Sequence, residues 1–171
     1  FRDMIDQTLA QYQFLKDAGY KFYFMDPNND PYNGVPRQAL EELLVNRTMA
    51  VFPTSAGYGD EIGASSSDNP LLEMTNEYLP DQDGKLIQAT ANDIFRIVHD
   101  ALGHGPEGTA FRGRGEDNAW IHHSRLYYGD ALRAMTSETR GQNSWLNYGP
   151  YGEKNKTASV ENTVFAEQKI G

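Results

Sequence analysis

Apolar side chains at Met4, Ile5, Leu9, Tyr12 and Leu15 recur at the three- and four-residue intervals of one helix face, and the pattern stops at Gly19. The next run, YKFYFMDP, alternates closely enough to be a strand, ended by Pro27. NNDPYNG is a cluster of turn formers. Pro36 then opens a second helix through RQALEELLVNRT, because its fixed φ suits the first helical turn. MAVFP reads as a short buried strand. Residues 54–70, rich in Gly, Ser and Asp, read as a long loop of the length that often carries function.

KLIQA is a short strand or an extended lead-in. Thr90 and Asp93 have the spacing of a capping box, which places a helix start there and a helix through NDIFRIVHDALG. EDNAWIHHSRLYY and DALRAMTSETR fit two further helices, punctuated by Gly129 and Gly141. From Trp145 the pattern is irregular until a last helical stretch near 160–169. No repeat, low-complexity run or linker interrupts the chain. The expected fold is α+β: a short N-terminal sheet with helices, and a helical second half that carries the chemistry, all in one domain over residues 1–171.

Length and charge narrow the function classes. A chain of 171 residues can bury one real core. Its formal net charge of -9 argues against nonspecific nucleic-acid binding, which needs a positive face. The basic residues Arg112, Arg114, Arg125, Arg133 and Arg140 nevertheless fall around the histidines. There is no cysteine, so disulfides, thiolate zinc sites, iron–sulfur clusters and cysteine nucleophiles are excluded. Any transition metal would be held by His, Asp and Glu. No apolar run has the length of a membrane span and no signal peptide is visible. The opening at Phe1 and the stop after VFAEQKIG suggest a segment of a longer protein.

The chemistry centres on HDALGHGP, residues 99–106. His99 and His104 are five residues apart, which on an α-helix is a rotation of about 140° around the axis, so the two would not share a face. Gly103 suggests a solution in which the helix ends or unwinds there, Pro106 stops it continuing, and His104 swings back toward His99. Two such histidines point to a metal. The best third ligand is Glu138, because Ala131, Ala134, Met135 and Glu138 follow one apolar stripe, and a carboxylate facing a core must be paired or metal-bound. The alternative for Glu138 is a buried salt bridge to Arg112, Arg114 or Arg140. The middle helix offers rivals: Glu116, Trp120 and His123 share a face, and His123 could be a ligand, a partner to a ligand or a proton shuttle. Glu116 near that helix's start could instead answer its dipole.

DIFRIVHDALGHGP resembles the iron motif of the aromatic amino acid hydroxylases, H-[DE]-x-x-G-H-x-P. The resemblance implies a mononuclear non-haem Fe(II) site of the 2-His-1-carboxylate type, with His99 and His104 at the histidine positions and Glu138, in SETRGQNSW, near the glutamate position. VFPTSAGYG, NPLLE, NDIFRIVHDALGH, GEDNAW and SETRGQNSW are similar to an uncharacterised domain of phage and mobile-element proteins, which implies a place within a long multidomain chain and other domains of that chain as partners.

Three functions stay open at this stage. An iron-dependent oxygenase of hydroxylase type would hold Fe(II) on His99, His104 and Glu138, with Asp100 orienting a ligand histidine. His123 and Trp120 would line its cavity, and Arg112, Arg114 or Arg140 would clamp a small anionic substrate. A Zn or Mn hydrolase would use the same ligands with Glu116 or His123 as general base. It would lack the H-E-x-x-H signature, and His99, the first histidine of the chain, leaves no upstream His for an HD-type phosphohydrolase. The third is a non-enzymatic, metal-stapled module.

Overall fold

The computed structural model describes residues 1–58, 69–108, 114–158 and 162–164. Helix α1 (Arg2–Asp17) turns Met4, Thr8, Tyr12 and Leu15 inward, the face expected from their spacing. Gly19, at φ +86°, lets the chain reverse into β1 (Lys21–Phe24), a conformation that would strain most other residues. Pro36 begins α2 (Pro36–Asn46), which closes on Arg47 in the left-handed region and leads at once into β2 (Thr48–Val51). β1 and β2 pair in parallel, from Lys21 opposite Thr48 to Phe24 opposite Val51, with α2 as the crossover.

The crossover is pinned by Tyr32. Its hydroxyl donates to Glu42 Oε2 at 2.6 Å and accepts the Ala50 amide at 2.6 Å. Burial pushes that phenol well above its ordinary range, and the Glu42 hydrogen bond adds to the rise. Around the strands, Phe22, Phe24, Leu40, Leu43, Met49 and Val51 pack with Ile94, Ile97 and Val98, from a helix later in the chain, into one apolar core.

α3 (Thr54–Tyr58) occupies the start of the expected loop, residues 59–68 of it lie outside the described residues, and its last two, Asn69 and Pro70, open a 3-10 turn. A strand the sequence pattern did not suggest follows: β3 (Met74–Pro80) pairs antiparallel with β4 (Leu86–Thr90). Only Thr75 and Leu79 of β3 are buried, and Met74 and Tyr78 face out, so its apolar residues do not mark its inner face.

Thr90 caps α4 (Ala91–Val98) with the reciprocal bonds of a capping box. Asp93 accepts from the Thr90 amide and hydroxyl through Oδ2 and from the Thr54 amide and hydroxyl through Oδ1, all within 2.8 Å. It thereby ties α3, β4 and α4 together. α4 is buried on nearly every side. It runs without a break into a π-helical turn, His99–His104, and then a 3-10 turn, Gly105–Glu107.

α5 (Arg114–Ser124) packs against that π turn. After Gly129, at φ +62°, α6 (Asp130–Thr136) continues through a second π turn, Ser137–Gly141, into α7 (Gln142–Tyr148), and α8 (Gly152–Asn155) follows. Gly141 is therefore no terminator: it sits at φ -61°, an ordinary helical value, and the stretch around Trp145 is helical rather than irregular. The helix expected near 160–169 falls largely outside the described residues. A second apolar cluster, Met4, Leu71, Phe95, Tyr127, Ala131, Ala134 and Met135, joins α1, α4 and α6. The fold is α+β, with small sheets in the first half and a helical second half. Among the described residues no helix is long and apolar enough to cross a membrane.

Candidate metal centre

The two histidines are brought together by the helix changing its pitch rather than ending. In the π turn the Gly105 amide donates to the Asp100 carbonyl, five residues back. Hydrogen bonding of this i+5 kind turns residues five apart toward one face, whereas an α-helix would splay them. The imidazoles of His99 and His104 accordingly meet edge to face, with ring centroids 5.1 Å apart. Gly103 remains inside the turn, so the expectation that the helix unwinds there is corrected. Its lack of a side chain serves packing: a Cβ at Gly103 would lie 3.1 Å from the Ala119 carbonyl oxygen and 3.4 Å from His99 Nδ1. The glycine lets α5 approach the π turn closely.

That approach delivers a carboxylate. Glu116 Oε2 lies 3.5 Å from His99 Nε2 and 3.4 Å from His104 Nε2. One ligand atom from each of His99, His104 and Glu116 falls within 4.8 Å of the other two, so the three could hold one metal ion. Two imidazoles and a carboxylate suit a borderline divalent transition metal. His104 is 0 % exposed and His99 9 % exposed, while the Glu116 side chain keeps 24 % of its surface, so the cluster opens toward solvent on the carboxylate side. Burial alone would raise the Glu116 carboxyl, but the adjacent imidazoles of His104 and His99 outweigh it and bring the group down to about 2. Glu116 therefore stays ionised, as a metal ligand must.

Glu138 was the carboxylate expected in this position from the sequence, and the structure instead groups Glu116 with the histidines. Glu138 does face the core with Ala131, Ala134 and Met135, as its stripe requires. Its Oε1 accepts from Gln142 Nε2, at the start of α7, at 2.6 Å. Burial raises its carboxyl to about 7, against the opposing pull of that hydrogen bond. Asp100 lies in the first π turn itself, and desolvation raises its carboxyl more than His99, His104 and Arg96 lower it.

His123, fully buried on α5, touches the cluster from behind: its Nδ1 is 3.1 Å from His99 Nδ1. Burial, reinforced by His99 and His104, holds its pKa well below the usual histidine range, so it is neutral. Its Nε2 meets Gln11 Oε1 of α1 at 3.1 Å. Sequence reasoning missed Gln11, a polar residue on an amphipathic helix 112 positions away, for which no local signal exists. Trp120 donates through Nε1 to Thr136 Oγ1 at 3.1 Å, and the Arg140 guanidinium lies over its ring at 4.6 Å from the centroid. Arg114 is exposed at the start of α5, and Arg112 lies outside the described residues. No protein-family model matches the chain, and no curated protein or solved structure matches it either.

Proposed function

We propose that the protein is a mononuclear non-haem metalloenzyme of the Fe(II) oxygenase type, with His99, His104 and Glu116 as the protein ligands. The observation that carries this reading is the convergence of two imidazole nitrogens and one ionised carboxylate oxygen within 4.8 Å, on a carboxylate face open to solvent. The likeness of HDALGHGP to the hydroxylase iron motif supports it independently for the two histidines. Fe(II) held by such a donor set would supply dioxygen activation.

The remaining residues have roles that follow from where they sit. His104 is sealed from water, and the π turn fixes both imidazoles relative to each other. Glu116 orients from the solvent side. Arg140, held against Trp120 beside the helix that carries Glu116, and the exposed Arg114 are the cations available to a small anionic substrate. The similarity to a phage and mobile-element domain supports a setting within a longer chain whose other domains are its partners.

Metal content after purification, read beside the anaerobic Fe(II) and Zn(II) affinities, tests the assignment. The reading expects one iron per chain in protein made with ample iron, and Fe(II)-dependent dioxygen uptake. Retention of zinc alone, with no dioxygen uptake by the Fe(II)-loaded protein, would replace it with the hydrolase alternative.

A further inference from the structure

A chain of hydrogen bonds leads from the Leu126 carbonyl to His99, and its direction can be worked out donor by donor. A carbonyl can only accept, so it is the Gln11 amide nitrogen that donates to Leu126 at 3.2 Å, and Oε1 is the atom turned toward His123, at 3.1 Å. An amide oxygen has no proton to give, so His123 must donate from Nε2.

A neutral imidazole with its proton on Nε2 has a lone pair on Nδ1. His123 is 0 % exposed, and its two hydrogen-bond partners are an amide oxygen and an imidazole nitrogen, neither of them anionic. Its Nδ1 therefore accepts, and His99 Nδ1 donates across the 3.1 Å contact. We infer that Gln11 and His123 are positioning residues that fix His99 with its proton on Nδ1, so that Nε2 presents its lone pair to the metal. The inference rests on the proposed metal reading and deepens it. It also assigns both nitrogens of His123, which removes His123 from the ligand candidates.

The ordering explains why the cluster calls for a cation. With the Nδ1 proton of His99 committed to His123, Nε2 meets the Glu116 carboxylate at 3.5 Å and, unless it carries a second proton or a metal ion, does so lone pair to lone pair. Two acceptors at that distance repel until a positive charge lies between them, whether a proton or a metal ion.

Two-bond proton–nitrogen correlation spectra of histidine-labelled protein read the tautomers directly, using Zn(II) alone as a diamagnetic probe. The expected spectrum has His99 protonated on Nδ1 with zinc on Nε2, and His123 protonated on Nε2 only. Gln11→Leu removes the acceptor and should weaken Zn(II) binding about 10- to 100-fold, while Gln11→Glu, which keeps an acceptor, should stay within a few-fold of wild type. A zinc-bound protein with an unprotonated His99 Nδ1 would overturn the inference and leave the metal reading standing. If no zinc binds, the metal reading fails, and the metal-free spectrum still decides the tautomer: His99 Nδ1 must carry a proton there too. Should the Gln11 variants not fold, the wild-type spectra decide alone.

Discussion

His99 and His104, five residues apart in sequence, stand edge to face with ring centroids 5.1 Å apart because a single π turn joins them. The turn costs α-helical regularity in the best-buried helix of the fold. π turns occur as short bulges within α-helices and are frequent at functional sites. Here the bulge aligns two imidazoles that α-helical geometry would separate, and the packing of α5 against it brings Glu116 to them.

Gly103 is the contact on which that packing depends. A methyl group there meets the Ala119 carbonyl at 3.1 Å, backbone that can yield only if α5 moves. Gly103→Ala should destabilise the protein by about 1–3 kcal/mol through overpacking. It should also weaken metal binding, because α5 carries Glu116 away with it. Urea denaturation beside a metal titration checks both effects. Unchanged stability and affinity would mean that the close approach has no role.

Glu138 makes a pH-dependent contribution with a definite sign. Its carboxyl is raised to about 7 by burial in the folded chain, above the ordinary carboxylate value of the unfolded one. The folded state therefore holds the proton more tightly, and stability is greatest at acid pH and declines as pH rises toward and through 7. Glu138→Gln, which imitates the protonated side chain, should leave stability near pH 4 almost unchanged. At pH 8 it should raise it by on the order of 1–3 kcal/mol. Metal-free denaturation curves at the two pH values decide; a variant less stable than wild type at pH 8 would contradict the assignment.

Asp93 anchors the start of the helix that leads to the site. Its two oxygens accept four bonds, from Thr54 and Thr90, and all of them are buried. Asp93→Ala removes a cap and strands the Thr54 donors as well. The loss should exceed an ordinary cap deletion and reach about 3 kcal/mol, measured as a fall in thermal midpoint. A loss below about 1 kcal/mol would show that water replaces the carboxylate at this junction.

Much of this was legible in the chain because the signals are local. The α1 stripe, Pro36 at a helix start, the Thr90–Asp93 box and the apolar stripe ending in Glu138 each follow from neighbours within a turn or two. HDALGHGP singled out His99 and His104, which the structure brings together, for the same reason. What could not be read depends on tertiary contact. β3 buries only Thr75 and Leu79, so its strand character comes from pairing with β4 rather than from its own pattern. The π turn keeps Gly103 helical where α-helical arithmetic expected a break. Glu116 was visible only as a rival to Glu138, because choosing between two acidic residues requires knowing which helix packs on the π turn. Gln11 acquires its role from a partner 112 residues distant.

The most direct test of the central claim is anaerobic Fe(II) binding, followed by stoichiometry and affinity, in wild type and in the isosteric variants Glu116→Gln and Glu138→Gln. With His99, His104 and Glu116 as ligands, wild type binds one Fe(II) per chain. Glu116→Gln then weakens binding at least about 100-fold, on the scale of losing an ionised ligand, while Glu138→Gln stays within a few-fold of wild type. Absence of stoichiometric binding in wild type, or full affinity in Glu116→Gln with its loss in Glu138→Gln, would contradict the account.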